Sequence, residues 1–259
     1  MMNVLINGYL GKMGQAVVKA INDSDKFNLA CCVDINSEAS DSNFSKLSEV
    51  REEIIRDTHC VIDFSNASGF MESAEFSLSN SIPFVSGSTG YSQANLDDIK
   101  HMADEKKVGV ALCSNFSTGA ILMSHIGSIA ARFYEYAELI ESHHENKADA
   151  PSGTSISIAD SISEGNPDRF KKVDSEINKI SNTRGGYGAG VNIHSLRLPG
   201  VIAKHELIFG AKGENLTIIH NSSDRESFMP GVLLAVKKVG DFPGITLGLD
   251  PVSYTHLRA

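Results

Sequence analysis

The chain has 259 residues, 41% of them hydrophobic and 21% charged, enough apolar material for a sizeable core in one large or two modest domains. No stretch approaches the roughly 18 unbroken apolar residues of a membrane span, and the balance of residues excludes disorder as the main theme. With 23 basic against 32 acidic residues the net charge is −9, which argues against nucleic acid or another polyanion as partner.

Met1-Met2-Asn3 runs directly into Val4-Leu5-Ile6 with no basic n-region, so no secretory signal is read and a reducing, cytoplasmic setting is expected. A first strand is predicted over 4–7 and a helix over 15–22, with Ala16, Val17, Ala20 and Ile21 on one side. Strands follow over 29–33, 60–64, 84–85 and 108–112, with helices over 48–56, 68–79 and 93–105 between them. This alternation predicts a Rossmann-type doubly wound parallel sheet. Cys31, Cys32, Cys60 and Cys113 fall in apolar surroundings without CxxC spacing and read as buried thiols, not a disulfide framework or a zinc site.

After residue 115 the texture changes. Helices are expected over 121–135 and 152–163, and antiparallel strands over 137–142, 191–197, 206–209 and 215–220. The glycine-rich run 184–190 reads as a mobile loop, and 230–239 as an apolar helix returning to the first domain. The expected organisation is a dinucleotide-binding domain, 1–115 plus 222–250, with an α+β domain, 116–221, inserted in it; 251–259 is an atypical tail.

Gly8-Tyr9-Leu10-Gly11-Lys12-Met13-Gly14 lies between the first strand and the first helix, where small residues let a diphosphate rest on the helix N-terminus. Asp34 ends the second strand twenty residues beyond Gly14, placed to accept ribose hydroxyls and repel a 2′-phosphate. Ile35 follows and no arginine is near, so NADH is the preferred cofactor, with NADPH left open. The loops at Asp63-Phe64-Ser65 and Gly87-Ser88-Thr89-Gly90-Tyr91 are expected beyond the carboxyl ends of strands, where ribose and nicotinamide would lie.

The most specific segment is residues 141–154, ESHHENKADAPSGT. Its histidines can exchange protons near neutrality, Lys147 offers a compact cation, and Pro151-Ser152-Gly153-Thr154 opens a helix whose N–H groups suit an anion. These features point to an acidic small molecule. Adjacent histidines on a strand face opposite ways, so no metal is expected. Glu141, Glu145 and Asp149 against Lys147 leave the segment at −2, so anion affinity should depend on protonating His143 and His144 and weaken as pH rises.

These motifs, with Ser114-Asn115-Phe116-Ser117, His194-Ser195-Leu196-Arg197, Lys204-His205-Glu206, Gly213-Glu214, His220 and Arg225, resemble the bacterial 4-hydroxy-tetrahydrodipicolinate (dihydrodipicolinate) reductases of lysine biosynthesis. The resemblance implies hydride transfer from a nicotinamide to a cyclic unsaturated dicarboxylate. It implies His143 as general acid/base, Lys147 as second proton donor, and His144, Gly153 and Thr154 as ligands of the substrate carboxylates. It places the cofactor on Gly8, Tyr9, Leu10, Gly11, Lys12, Met13 and Asp34, on Gly87, Ser88 and Thr89, and on Cys113, Ser114, Asn115 and Phe116. A homotetramer built through the second domain is also implied. Two rivals stand beside it: another two-domain NAD(P)-dependent oxidoreductase, and a redox sensor that holds NADH without turnover. The sensor would need the glycine loop and Asp34 but not the cluster at 143–154.

Overall fold

A computed structural model describes residues 1–166 and 168–249; the atypical tail, 251–259, lies outside them. Two compact units divide the chain, Met1–Phe116 with the residues from Phe228 on, and Ser117–Ser227. In chain order the elements are β1 (Met2–Asn7), α1 (Lys12–Asn22), β2 (Phe27–Val33), β3 (Asn43–Phe44), α2 (Glu52–Asp57), β4 (Cys60–Asp63), α3 (Ala67–Ser79), β5 (Phe84–Ser86), α4 (Gln93–Lys106) and β6 (Gly109–Leu112). The second unit contributes α5 (Thr118–Ala130), β7 (Tyr136–His143), α6 (Gly153–Gly165), β8 (Gly186–Gly188), β9 (Val191–Arg197), β10 (Ala203–Ala211) and β11 (Glu214–Ser222). The chain then returns through α7 (Met229–Lys238) and β12 (Gly244–Leu247).

The first unit is a seven-stranded sheet of order β12-β6-β5-β4-β1-β2-β3, with every pair parallel. Its central strands are unbroken apolar runs because helices cover both faces: Val4, Leu5, Ile6, Val61 and Ile62 are all 0% exposed. The chain moves from β1 outward to β3, then restarts at β4 on the other side of β1. That reversal makes a switch point at the carboxyl ends of β1 and β4, the usual ligand crevice of such sheets. All four cysteines are buried free thiols, and burial pushes Cys31 and Cys32 up to about 12. Among the described residues no helix is long and apolar enough to cross a membrane.

The second unit is a five-stranded sheet of order β11-β10-β7-β9-β8. Leu139, Leu207 and Phe209 on its inner face pack with Ile158 and Ile162 of α6 and Met123 of α5. The sheet is mixed, which corrects the expectation of antiparallel strands: β7 and β9 pair in parallel, because α6 lies in the crossover between them. The run 184–190 is not simply a loop, since Gly186–Gly188 forms an antiparallel edge strand on β9. The helix expected over 121–135 begins earlier, at Thr118, because Ser117 accepts the Ala120 N–H at 3.2 Å. It ends earlier too, passing through a 3-10 turn into extended Tyr134. Ser222 still pairs with Ala203 of β10, so the return to the first unit falls at Phe228 and not at residue 222.

Candidate active site

In the first unit the turn after β1 is shaped by its own backbone. Gly8 has φ +82, and a Cβ there would stand 2.6 Å from the Phe64 carbonyl oxygen, so only glycine fits. Gly11 is the N-cap of α1 and supplies no side chain to its first N–H groups, which leaves that terminus suited to an anion. Asp34, just past β2, accepts the Leu10 N–H at 3.3 Å and the Asn36 N–H at 3.0 Å, tying the glycine turn to the end of the second strand.

A cavity of about 470 Å³ opens here, lined by Gly8, Leu10, Gly11, Asp34, Lys46 and Phe64 among others. Four expected cofactor residues thus share one wall. Tyr9 lies just outside it, with its hydroxyl 2.9 Å from Ser37 Oγ, while Lys12 and Met13 form the first turn of α1. Gly87, Ser88 and Thr89 follow β5, and Cys113, Ser114, Asn115 and Phe116 follow β6, at the same carboxyl edge of the sheet but outside this cavity. Beneath the edge, buried Asp63 accepts hydrogen bonds from Ser65 Oγ (2.5 Å), Ser86 Oγ (2.7 Å) and Ser73 Oγ (3.3 Å). This network holds the Phe64 turn in place. Glycine turn, open helix terminus, acidic strand end and cavity together fit a dinucleotide.

In the second unit the inner face of the sheet is apolar at Leu139 and Leu207 and becomes polar toward the first turns of α5 and α6. Strand alternation puts Glu141 and His143 of β7 on this face, and His205 and His220 join them because His205 stands opposite Glu141 and His220 in register. His143 Nδ1 lies 2.5 Å from Glu141 Oε2, and Arg197 Nη2 lies 2.9 Å from Oε1. Burial would raise the Glu141 carboxyl, but the nearby donors of His143, Ser195 and Arg197 outweigh it and hold the group at about 2. His205, packed edge-on to His143 at 5.5 Å, is pushed down to about 4 by burial and by the neighbouring imidazoles. Burial also lowers His220, whose Nε2 lies 3.1 Å from the α5 cap Ser117.

Lys147 and His144 follow β7. Lys147 Nζ pairs with Asp149 Oδ1 at 2.7 Å, which holds the Asp149 carboxyl below its ordinary value, while His144 is exposed. The Asp149 carbonyl accepts a 2.6 Å hydrogen bond from Arg197, so the lysine loop is fastened to the same guanidinium that meets Glu141. Ser152 caps α6 by accepting the Ser155 N–H at 3.2 Å, and its Oγ lies 3.5 Å from His205 Nε2. Gly153, in the first turn, is exposed, and a Cβ there would meet nothing within 4 Å. His143, Lys147 and the start of α6 with Gly153 and Thr154 are therefore joined in one connected framework.

Glu141, His143 and His205 present ligand atoms within 4.8 Å of one another, the only such group among the described residues. The guanidinium on the carboxylate already supplies the balancing positive charge. The residues that sequence reasoning gave no role are Glu141, Arg197, His205 and, in the first unit, Lys46. Only Glu141 carried a local signal, its spacing of two from His143.

Comparison with known proteins covers both units. The family described as dihydrodipicolinate reductase matches in two parts, its N-terminus over residues 2–116 and its C-terminus over residues 119–252. The 4-hydroxy-tetrahydrodipicolinate reductase of Mycobacterium sp. (strain KMS) is 38% identical over 252 residues, covering 97% of this chain and 98% of that protein. The enzyme of that name from Listeria innocua is 36% identical over 265 residues, covering 97% and 99%. Among solved structures, a dipicolinate-bound dihydrodipicolinate reductase from Paenisporosarcina sp. TG-14 superposes with a TM-score of 0.84 at 31% identity, covering 97% of this chain and 99% of that one. The chain belongs to the dihydrodipicolinate reductase family.

Proposed function

We propose that this protein is a 4-hydroxy-tetrahydrodipicolinate reductase, acting in the diaminopimelate route to lysine. The observation that carries the reading is the framework joining His143, Lys147 and the first turn of α6 through Glu141, Arg197, Asp149 and His205. A sensor that only holds a nucleotide has no use for it.

The first unit binds the dinucleotide, with the diphosphate at Gly11 and the start of α1 and the adenosine ribose at Asp34. Bound there, the nicotinamide supplies the hydride. The 4-hydroxyl leaves as water, and across the resulting unsaturated bond His143 gives the proton to the carbon next to the one that takes the hydride, with Lys147 as the second donor. His144 holds one substrate carboxylate, and Gly153 with Thr154 holds the other through the helix terminus. NADH is the preferred cofactor on the strength of Asp34 followed by Ile35; Lys46, on the same cavity wall, gives NADPH a cation for its extra phosphate. The outer face of the second sheet exposes Ile219 (57%) and Leu196 (39%), which supports a homotetramer assembled through it.

Loss of NADH absorbance with freshly made 4-hydroxy-tetrahydrodipicolinate, against NADH alone, tests the reaction. No loss above the blank, with NADH binding intact, would favour the sensor. Sedimentation velocity at micromolar concentration tests the tetramer, and a monomer peak would remove it.

A further inference from the structure

Glu141 is 0% exposed, and a buried carboxylate is costly unless both oxygens are served. Here each lies at ion-pair distance from a different nitrogen, without the alignment of a full hydrogen bond. Oε1 meets Arg197 Nη2 at 2.9 Å, and Oε2 meets His143 Nδ1 at 2.5 Å. A carboxylate oxygen and a bare imidazole nitrogen repel at that distance, so the proximity favours a proton on Nδ1 even though the two groups are not squarely aligned. The register explains why the contact is stiff: in parallel β9, Ser195 stands opposite Glu141 and Arg197 opposite His143, while in β10 His205 stands opposite Glu141. His143 is thus held by the carboxylate on its own strand and by the His205 ring edge from the next one.

We propose that Glu141 is a positioning residue that holds His143 in its Nδ1–H tautomer, so that proton exchange with substrate runs through Nε2. The inference rests on the reading of His143 as the general acid/base. Arg197 has a second part in the same device. It neutralises Glu141 and also donates to the Asp149 carbonyl at 2.6 Å, so one guanidinium braces the histidine and the loop that carries Lys147. A salt bridge serving stability alone would need only Glu141 and Arg197, and an apolar pair of similar volume would do as well. The histidine contact is what a structural account leaves unexplained.

The test is a long-range ¹H–¹⁵N spectrum of full-length protein labelled at histidine, recorded at alkaline pH, with the His143 signals assigned by their loss in H143Q. The expected wild-type pattern is a protonated Nδ1 and a bare Nε2, and Glu141→Gln should abolish that preference. In steady state E141Q should lose about 10²–10⁴-fold in kcat, the span of general acid/base catalysis and of a wrong tautomer. Its KM for the dicarboxylate should move by less than about threefold, and E141Q/H143Q should be no slower than H143Q. A wild-type Nε2–H tautomer overturns the proposal even if E141Q fails to fold, and so does an effect confined to KM. Near-normal turnover in H143Q would instead remove the acid/base reading, while the spectra still decide whether Glu141 sets the tautomer.

Discussion

Replacing Gly14 with alanine sets helix propensity against packing. Propensity favours alanine inside a helix by about 1 kcal/mol over glycine. The geometry opposes it: a Cβ at Gly14 would lie 2.1 Å from the Gly8 carbonyl oxygen and 2.6 Å from Tyr9 Cα. Both neighbours are backbone, so no rotamer change relieves the overlap and the turn itself must move. Overpacking of this kind costs about 1–3 kcal/mol, and with backbone neighbours the upper part applies, leaving a net loss of roughly 1–2 kcal/mol. Gly11 gives the contrasting case. Its φ is −68°, and the nearest atom to an added Cβ is the Gly8 carbonyl oxygen at 3.3 Å. Gly11→Ala should therefore cost less than about 1 kcal/mol in the free protein, as a cap change. If the diphosphate binds at this helix terminus as proposed, the added methyl group would obstruct it, and NADH affinity should drop roughly tenfold, or about 1.4 kcal/mol. Urea unfolding followed by circular dichroism and NADH fluorescence titration separate the two effects. A G14A protein as stable as wild type, or a G11A protein with unchanged NADH affinity, would refute the reasoning.

His143→Gln should lower kcat by about 10²–10⁴-fold, whereas Lys147→Ala should also raise KM for the dicarboxylate; near-normal kinetics in either would dismiss that residue's role. Asp34→Ala should shrink the advantage of NADH over NADPH, and Lys46→Ala should weaken NADPH more than NADH; an unaltered ratio of kcat/KM values in both would show that the adenosine lies elsewhere. Stability should fall as the solution is acidified. His205 sits at about 4 against an ordinary 6.5, so the unfolded chain takes up that proton first and stability is lost between pH 6.5 and 4. Glu141 sits at about 2 against 4.5, so its contribution is complete above pH 4.5 and disappears as pH falls toward 2. His205→Asn should flatten the upper part of the curve, and an unchanged slope there would count against a neutral buried His205.

The first unit was legible because its chemistry is local. Apolar runs such as Val61-Ile62, separated by amphipathic stretches, specify a covered parallel sheet with no knowledge of which strand neighbours which. What stayed hidden was edge structure: β3 has two residues, β12 begins at Gly244, and β8 is built from Gly186-Tyr187-Gly188, where pairing uses backbone groups alone. In the second unit the spacing of Glu141 and His143 was readable as a shared strand face. Arg197 and His205 were not, because their place beside that pair depends on the register of β9 and β10, which no short window of sequence carries. Lys46 reaches the Asp34 cavity for a similar reason, delivered by the short β3.

Both proposed ligands are anions, yet the chain carries −9, and residues 141–154 carry −2. Counting along the sequence suggested that two protonated histidines would be needed to cancel that charge. The fold changes the account. Arg197, from outside the segment, offsets Glu141, so the buried carboxylate is spent inside the framework and does not confront the substrate. Lys147 and Asp149 offset each other in the same way. His205, held at about 4, stays neutral above the acid range and adds no charge of its own. Part of the attraction then falls to the start of α6, whose aligned peptide dipoles amount to about half a positive charge and do not titrate. Dicarboxylate affinity should therefore decline as pH rises above neutrality but level off instead of vanishing. Calorimetric titration with dipicolinate across that range checks this, and a continuous fall with no plateau would return the whole of the attraction to His143 and His144.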